Sequence, residues 1–299
     1  MSRTRGGSWV SPRDAGTVRR TTWATALIVV VTLIMLLTAT NLPAQESRGG
    51  GSPGCFRAVS GTLAASAAVS AVATGVELQT MTRTGTWHMM DQTDPMRIAA
   101  DPSSHLHALA SYHLARTATS AFSGCQSAGR AAMSGALWAI AVGVSKEVAD
   151  GWYTGFSTVD LAVDAAGVGY ALAQAHVPVL RHVTPTFSVS PRALRSMSAR
   201  GIMTDYGNQT AWLSANVHEM LPASAARVWP AAMRLSVGRR TAGVASGSQY
   251  IVGIDLDAEY LPGTNPTWMK VKSALHHLRI PGPAIVMGSD GTKAFGLYW

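Results

Sequence analysis

The sequence predicts an α+β protein: a bundle of small-residue-rich helices followed by a smaller strand-containing region. Three observations point there. Up to about residue 180 the chain runs in long, nearly uncharged stretches rich in Ala, Gly and Ser. Such composition suits helices whose backbones approach closely, in a membrane or against one. After about residue 200 several short segments alternate apolar and polar residues, the period of a half-buried strand. Between them, "RHVTPTFSVSPRALRSMSARG" is a basic segment bearing Pro and Ser that reads as a connector over 181–200.

In chain order, Thr21 to Gln45 holds no charge and follows a basic flank. It is a secretory signal cleaved after Ala44 or a retained anchor, since about 20 apolar residues span the hydrocarbon core. Residues 1–45 are therefore read as a signal peptide or N-terminal membrane anchor, and both readings imply export. "ESRGGGSPG" over 46–54 is a flexible linker. Residues 55–180 are read as a helical, membrane-associated domain. Within it, Ala58–Val76 is 19 residues without charge, and a second uncharged run of 15 lies between Arg130 and Lys146. At 1.5 Å per residue the second run covers about 22 Å, short of the roughly 30 Å hydrocarbon core. Hydropathy alone leaves open whether 58–76, 131–145 or 165–180 cross a bilayer.

A helix is expected from Ser103 or Ser104, another from about Arg130 to Asp150, and a third from Thr158 to Pro178 with Ser157 as its cap. Ser157 and Asp160 form the start of that helix as a capping-box pattern, "STVD". In the last region, 201–299, "MRLSVGRR" and "SQYIVGIDLDAEYL" read as strands, the second with a bulge near Gly253. "PAIVMGS" and "KAFGLYW" flank "SDGT" and read as a hairpin. The aromatic C-terminus resembles the last strand of an outer-membrane barrel, but a barrel needs at least about eight strands. The final strand of a small sheet is the expected reading.

The formal charge of +8 does not indicate nucleic acid. Arg3, Arg5, Arg13, Arg19 and Arg20 against Asp14 alone place half of it in residues 1–44, and no basic stripe with interleaved aromatics follows. Membrane lipid is the expected partner, with an envelope protein as a further one. Cys55 and Cys125 would meet an oxidising compartment, so a disulfide and two buried thiols are both open.

Five charges concentrate in "VGVSKEVADGWYTGFSTVDLAVDAAGVGY". Buried carboxylates are costly unless paired or used. Spacing places Lys146, Glu147 and Asp150 near one side of a helix end and Asp160 with Asp164 on one helix face. With His105 or His107 and Tyr112 from the preceding helix, Glu147, Asp150 and Asp164 form the candidate polar site. Metal or acid–base use of such a set is chemically open. No His-Glu-x-x-His, cysteine cluster, nucleophile elbow or phosphate loop is present, so no cofactor and no metal is expected.

The same stretches, "DPSSHLHALASYHLAR", "KEVADG" and "STVDLAVDAAG", resemble the YfiM-like family of predicted periplasmic lipoproteins, a domain of unknown function. That family carries Asp-Lys-x-x-His leading to Ser-Tyr, then Glu-x-x-Asp-Gly, then Ser-x-x-Asp with a following Asp or Asn. Further segments, "DYGNQTAWLSANVHEMLP" to "KAFGLYW", are similar to its longer members. Pro102 stands at the motif Lys, two extra residues separate His105 from Tyr112, and no lipobox is visible, so His105 and His107 both remain candidates for the motif histidine. More distantly the order of residues is similar to VanZ-like membrane proteins. The resemblance implies a bacterial cell-envelope protein, at the inner membrane or in the periplasm, with acidic and His residues between small-residue helices. The expected function is a non-enzymatic membrane-associated structural or interaction module. The alternative is an envelope enzyme or lipid-headgroup binder using the His/Glu/Asp cluster.

Overall fold

The computed structural model describes residues 53–78, 84–90, 103–191, 208–241 and 248–298. The N-terminal segment Thr21–Gln45 lies outside the described residues. Four helices come first: α1 (Pro53–Leu78), α2 (Ser103–Ser123), α3 (Ala128–Asp150) and α4 (Thr158–His176). A six-stranded sheet follows, of β1 (Val183–Val189), β2 (Gln209–Asn216), β3 (Met233–Thr241), β4 (Ser248–Leu256), β5 (Gly282–Gly288) and β6 (Lys293–Tyr298). Short helices α5 (Val217–Met220) and α6 (Ala223–Ala226) link β2 to β3, and α7 (Pro266–His276) links β4 to β5. The protein is therefore α+β.

Helices α2, α3 and α4 pack around Tyr112, Leu114, Ala115, Ala136, Ala139, Val168 and Ala171. Ala and Gly in the seam let the backbones approach: a Cβ on Gly167 would stand 2.1 Å from the carbonyl oxygen of Ala108. Gly167→Ala must part α2 from α4 and is expected to cost about 1–3 kcal/mol. Gly169→Ala, with nothing within 4 Å of the added carbon, is expected to stabilise by about 0.5–1 kcal/mol. Urea unfolding of the two variants side by side checks the pair. Cys125 is disulfide-bonded, and Cys55 is the other cysteine of the chain. Among the described residues no helix is long and apolar enough to cross a membrane.

Residues 84–90 latch onto the α3–α4 turn. His88 N–H donates to the Gly151 carbonyl, Phe156 N–H to the His88 carbonyl and Met90 N–H to the Phe156 carbonyl. The Trp87 indole N–H donates to the Val148 carbonyl at 3.2 Å.

The sheet is an antiparallel meander in the order β1-β2-β3-β4-β5-β6. Strands β3 to β6 lie where alternation places them. Two expectations are corrected. The sheet begins at Val183, inside the stretch read as a connector over 181–200: Pro185 suppresses the strand reading, yet β1 is an edge strand, where a missing donor is tolerated. The pairing of β3 with β4 runs unbroken through Ser236↔Gly253, so no bulge is present there.

The faces of the sheet are also assigned unexpectedly. A half-buried strand ordinarily encloses its apolar side and wets its polar side. Thr184, Thr186, Thr210, Ser214, Asn216, Arg234, Ser236 and Asp255 point inward and are buried, around a small apolar cluster of Trp212, Ile251, Ala284 and Val286. Outward, Pro185, Leu213, Val237, Val252, Ile285 and Phe295 align in one paired row across all six strands. Phe295 and Leu297 are 78% and 72% exposed. The inner polar groups satisfy one another: Thr186 Oγ1 to Ser214 Oγ, Ser214 Oγ to Ser236 Oγ, and Ser236 Oγ to Asp255 Oδ1, all within 3.0 Å. Arg279 ties the two edge strands, its backbone N–H donating to the Phe187 carbonyl of β1 and its guanidinium to the Tyr298 carbonyl of β6. That guanidinium also stacks 3.8 Å over the Trp212 ring. The helical bundle meets the β1 edge, where the Tyr170 hydroxyl and the Gln174 amide both donate to the Val183 carbonyl.

Candidate functional site

The α3–α4 turn and the start of α2 bring charge together inside the bundle. The uncharged run of α3 ends at Lys146, and Gly155, at φ +104°, turns the chain toward the Ser157 cap of α4. Ser157 Oγ accepts the Asp160 N–H at 3.0 Å, which fixes the first turn of α4. One helical turn on, Asp164 points at α2 and α3. Gly143 makes room for it, because a Cβ there would lie 2.6 Å from Asp164 Oδ2.

His107 is the histidine that joins these acids. Its Nδ1 stands 3.4 Å from Asp164 Oδ1 and 3.8 Å from Glu147 Oε1. The side chains of His107, Glu147 and Asp164 are 11%, 1% and 3% exposed. The Ser111 hydroxyl donates to Asp164 Oδ1 at 2.6 Å, and the Ser157 N–H donates to Glu147 Oε2 at 3.1 Å. Glu147 Oε1 has no hydrogen-bond partner. Lys146 sits 3.7 Å from that oxygen but pairs with Asp150 at 2.6 Å. Burial pushes the Glu147 carboxyl up to about 7, against the opposing charges of Lys146 and His107. His107 is raised: burial works against its protonation, but the facing carboxylate of Asp164 and the charge of Asp160 outweigh it.

Of the six residues expected to converge, His107, Glu147 and Asp164 do so, and Asp150 joins through Lys146. His105 does not; it faces the sheet, its Nε2 lying 3.4 Å from Arg239 Nη1. Tyr112 is also elsewhere. Its hydroxyl donates to Gln174 Oε1 at 2.8 Å and its ring packs on Tyr170. Seven residues after His105, Tyr112 follows the same helix face toward the sheet, while His107 and Ser111, four apart, share the other face. Ser111 was legible from that spacing but carries no charge to draw notice. Asp160, read as a helix-start residue, also offers a carboxylate oxygen within 4.8 Å of ligand atoms of His107 and Glu147.

A second polar centre lies where the bundle meets the sheet. A cavity of about 440 Å³ is lined by Tyr112, Arg116, Gln174, Glu219, Asp257 and His276 among others. Below it, Arg234 grips Asp255 in a fork, Nε to Oδ1 at 3.2 Å and Nη2 to Oδ2 at 2.9 Å. His276 Nδ1 bonds Asp257 Oδ1 at 2.7 Å, with Glu259 Oε2 at 3.9 Å. Burial would push the Asp257 carboxyl up, but the hydrogen bond and charge of His276, with Arg234, hold it below its usual range. Asp257, Glu259 and His276 also form a set able to approach one cation. There, however, the His276 Nδ1 is spent on Asp257 and its Nε2 on Thr184 Oγ1 at 3.2 Å. None of Arg234, Asp255, Asp257 and His276 was singled out from sequence, since their meeting depends on strand register.

The bundle cluster has acid–base groups but presents almost none of their surface to an external substrate. No family model, curated protein or solved structure matches the chain.

Proposed function

We propose that this chain is a non-enzymatic, membrane-associated module of the bacterial cell envelope, held together by its polar interior and facing lipid with its apolar exterior. The exposed apolar row on the outer face of the sheet carries the reading. The outward sheet row from Pro185 to Phe295 covers six strands, about 24 Å at ordinary strand spacing. On α3, Met133, Leu137, Val144 and Val148 form a second exposed apolar stripe, with Leu137 65% exposed. Contiguous apolar surface of this size marks a partner or a membrane. Two such faces on separate elements suit a lipid phase better than one docked protein. An apolar outward row is also the pattern of strands that meet hydrocarbon on one side. The uncharged segment Thr21–Gln45 and the resemblance to YfiM-like envelope proteins agree with this placement. The enzymatic alternative has less support, because Glu147 and Asp164 are enclosed.

An apolar photoactivated carbene dissolved in phosphatidylglycerol/phosphatidylethanolamine vesicles tests the reading. Labelling of the full chain, mapped by mass spectrometry, is expected on the α3 stripe and on β3 to β6. Ile285→Glu is expected to reduce sheet labelling at least severalfold. Labelling confined to residues 21–45 would reduce the membrane contact to an N-terminal anchor and reject the module as a lipid-facing one.

A further inference from the structure

We propose that His107, Glu147, Asp160 and Asp164 bind one divalent transition-metal ion, Zn²⁺ in tetrahedral coordination, as a closed structural site joining α2, α3 and α4. Spacing is the first argument. An N···O hydrogen bond spans about 2.7–3.2 Å, whereas His107 Nδ1 stands 3.4 and 3.8 Å from the two carboxylate oxygens it faces. Ligand atoms on opposite ends of a tetrahedral edge are about 3.4 Å apart when each bond is about 2.1 Å. The side chains are thus set wider than hydrogen bonding requires and close to what a shared ion requires. The ligand atoms of His107, Glu147 and Asp160 all lie within 4.8 Å of one another, and Asp164 Oδ1 adds a fourth oxygen 3.4 Å from His107 Nδ1.

The second argument is independent of spacing. Glu147 Oε1 is enclosed, points into the cluster and has no hydrogen-bond partner. A buried acceptor in that condition is costly unless something of opposite charge meets it. Lys146 Nζ and His107 Nδ1 approach that oxygen only as ion pairs at 3.7 and 3.8 Å, beyond hydrogen-bond length, while the ammonium's short contact is with Asp150 at 2.6 Å. Three carboxylates around one imidazole leave a surplus of negative charge that a divalent cation neutralises.

The supports behind the ligands are already in place, as a metal site needs. Ser111 orients Asp164, the Ser157 N–H holds the other oxygen of Glu147, and the Ser157 hydroxyl caps the turn that carries Asp160. One imidazole with carboxylates and no thiolate suits Zn²⁺ over Ca²⁺ or Mg²⁺, which favour all-oxygen shells. The Asp257, Glu259 and His276 set is the weaker choice because both imidazole nitrogens there already make hydrogen bonds.

The test uses the full chain in detergent, stripped with EDTA and dialysed, with Zn²⁺ alone followed by calorimetry and Co²⁺ alone by visible absorption. One ion per chain is expected, with the intense d–d bands of tetrahedral Co²⁺ and a raised melting temperature. Glu147→Gln should abolish both responses, and Ser111→Ala should weaken binding about 10- to 100-fold. Glu259→Gln should change neither. Glu147→Gln replaces an unpartnered oxygen, so it is expected to keep the wild-type circular dichroism in EDTA; should it misfold, Asp160→Asn and Ser111→Ala carry the same comparison. No uptake by the wild type, uptake unchanged in the cluster variants, or loss on Glu259→Gln would each overturn the assignment.

Discussion

Arg234→Met is expected to destabilise the sheet half by about 3–5 kcal/mol, the cost of leaving a buried carboxylate without its counter-charge. Arg234 is 1% exposed, and its guanidinium forks onto Asp255 while Nη1 donates to the His276 carbonyl at 2.8 Å. The same carboxylate anchors the hydroxyl chain through Ser236 and Ser214. The lost pair thus releases the end of α7 and the inner face of three strands together. A loss of that size rivals the stability of many domains. Trp212, buried against Arg279, reports it by fluorescence in a urea titration. The double variant Arg234→Met/Asp255→Leu is expected to recover at least half, because a vacated ion pair costs more than an apolar replacement. A change below about 1 kcal/mol in Arg234→Met would mean that water reaches Asp255 in solution.

Acid is expected to weaken the junction between bundle and sheet through two histidines. His113 and His277 stack edge to face at 4.4 Å between centroids. Burial, with the charges of His276 and Arg116, lowers the His113 pKa to about 3, and burial with His113 and its charged neighbours lowers His277 well below 6.5. The unfolded chain takes up these protons near pH 6.5 and the folded chain does not. The stability they contribute is therefore complete above pH 6.5 and is lost as pH falls toward 3. His113 loses about 1.4 kcal/mol per pH unit in that window, or about 2 kcal/mol at pH 5, and His277 acts in the same direction. Glu147 pulls the opposite way, because its raised pKa makes the folded chain bind a proton first. The His113 share is consequently read as a difference: on going from pH 7 to pH 5, His113→Phe should gain about 2 kcal/mol relative to wild type. Parallel urea curves at both pH values would show instead that the ring is reached by solvent.

The helices were legible because their determinants are local. Ser157 caps its own helix through an atom three residues away, and the Ala/Gly seams announce close packing. The hairpin around Asp290 was equally plain, since Gly291 adopts φ +84° in the turn. The concentration of charge from Lys146 to Asp164 was also legible, because acids among tiny apolar residues must meet a partner. Strand β1 was hidden by one proline whose meaning depends on whether the strand is an edge. The split between His105 and His107 was hidden because two residues shift a side chain by about 200° around a helix, and only the partner helices tell which face is inside.

By itself the sequence determined the α+β division, the order of the main helices, and a concentration of acids from Glu147 to Asp164 that must find partners. The tertiary structure decided which histidine meets that cluster and that Tyr112 does not. It also decided that the sheet turns its hydroxyls and its Arg234–Asp255 pair inward and its aliphatic row outward. Period-two alternation specifies that a strand has two unlike faces, but which face is enclosed depends on the side to which Arg279 and the neighbouring strands close the sheet.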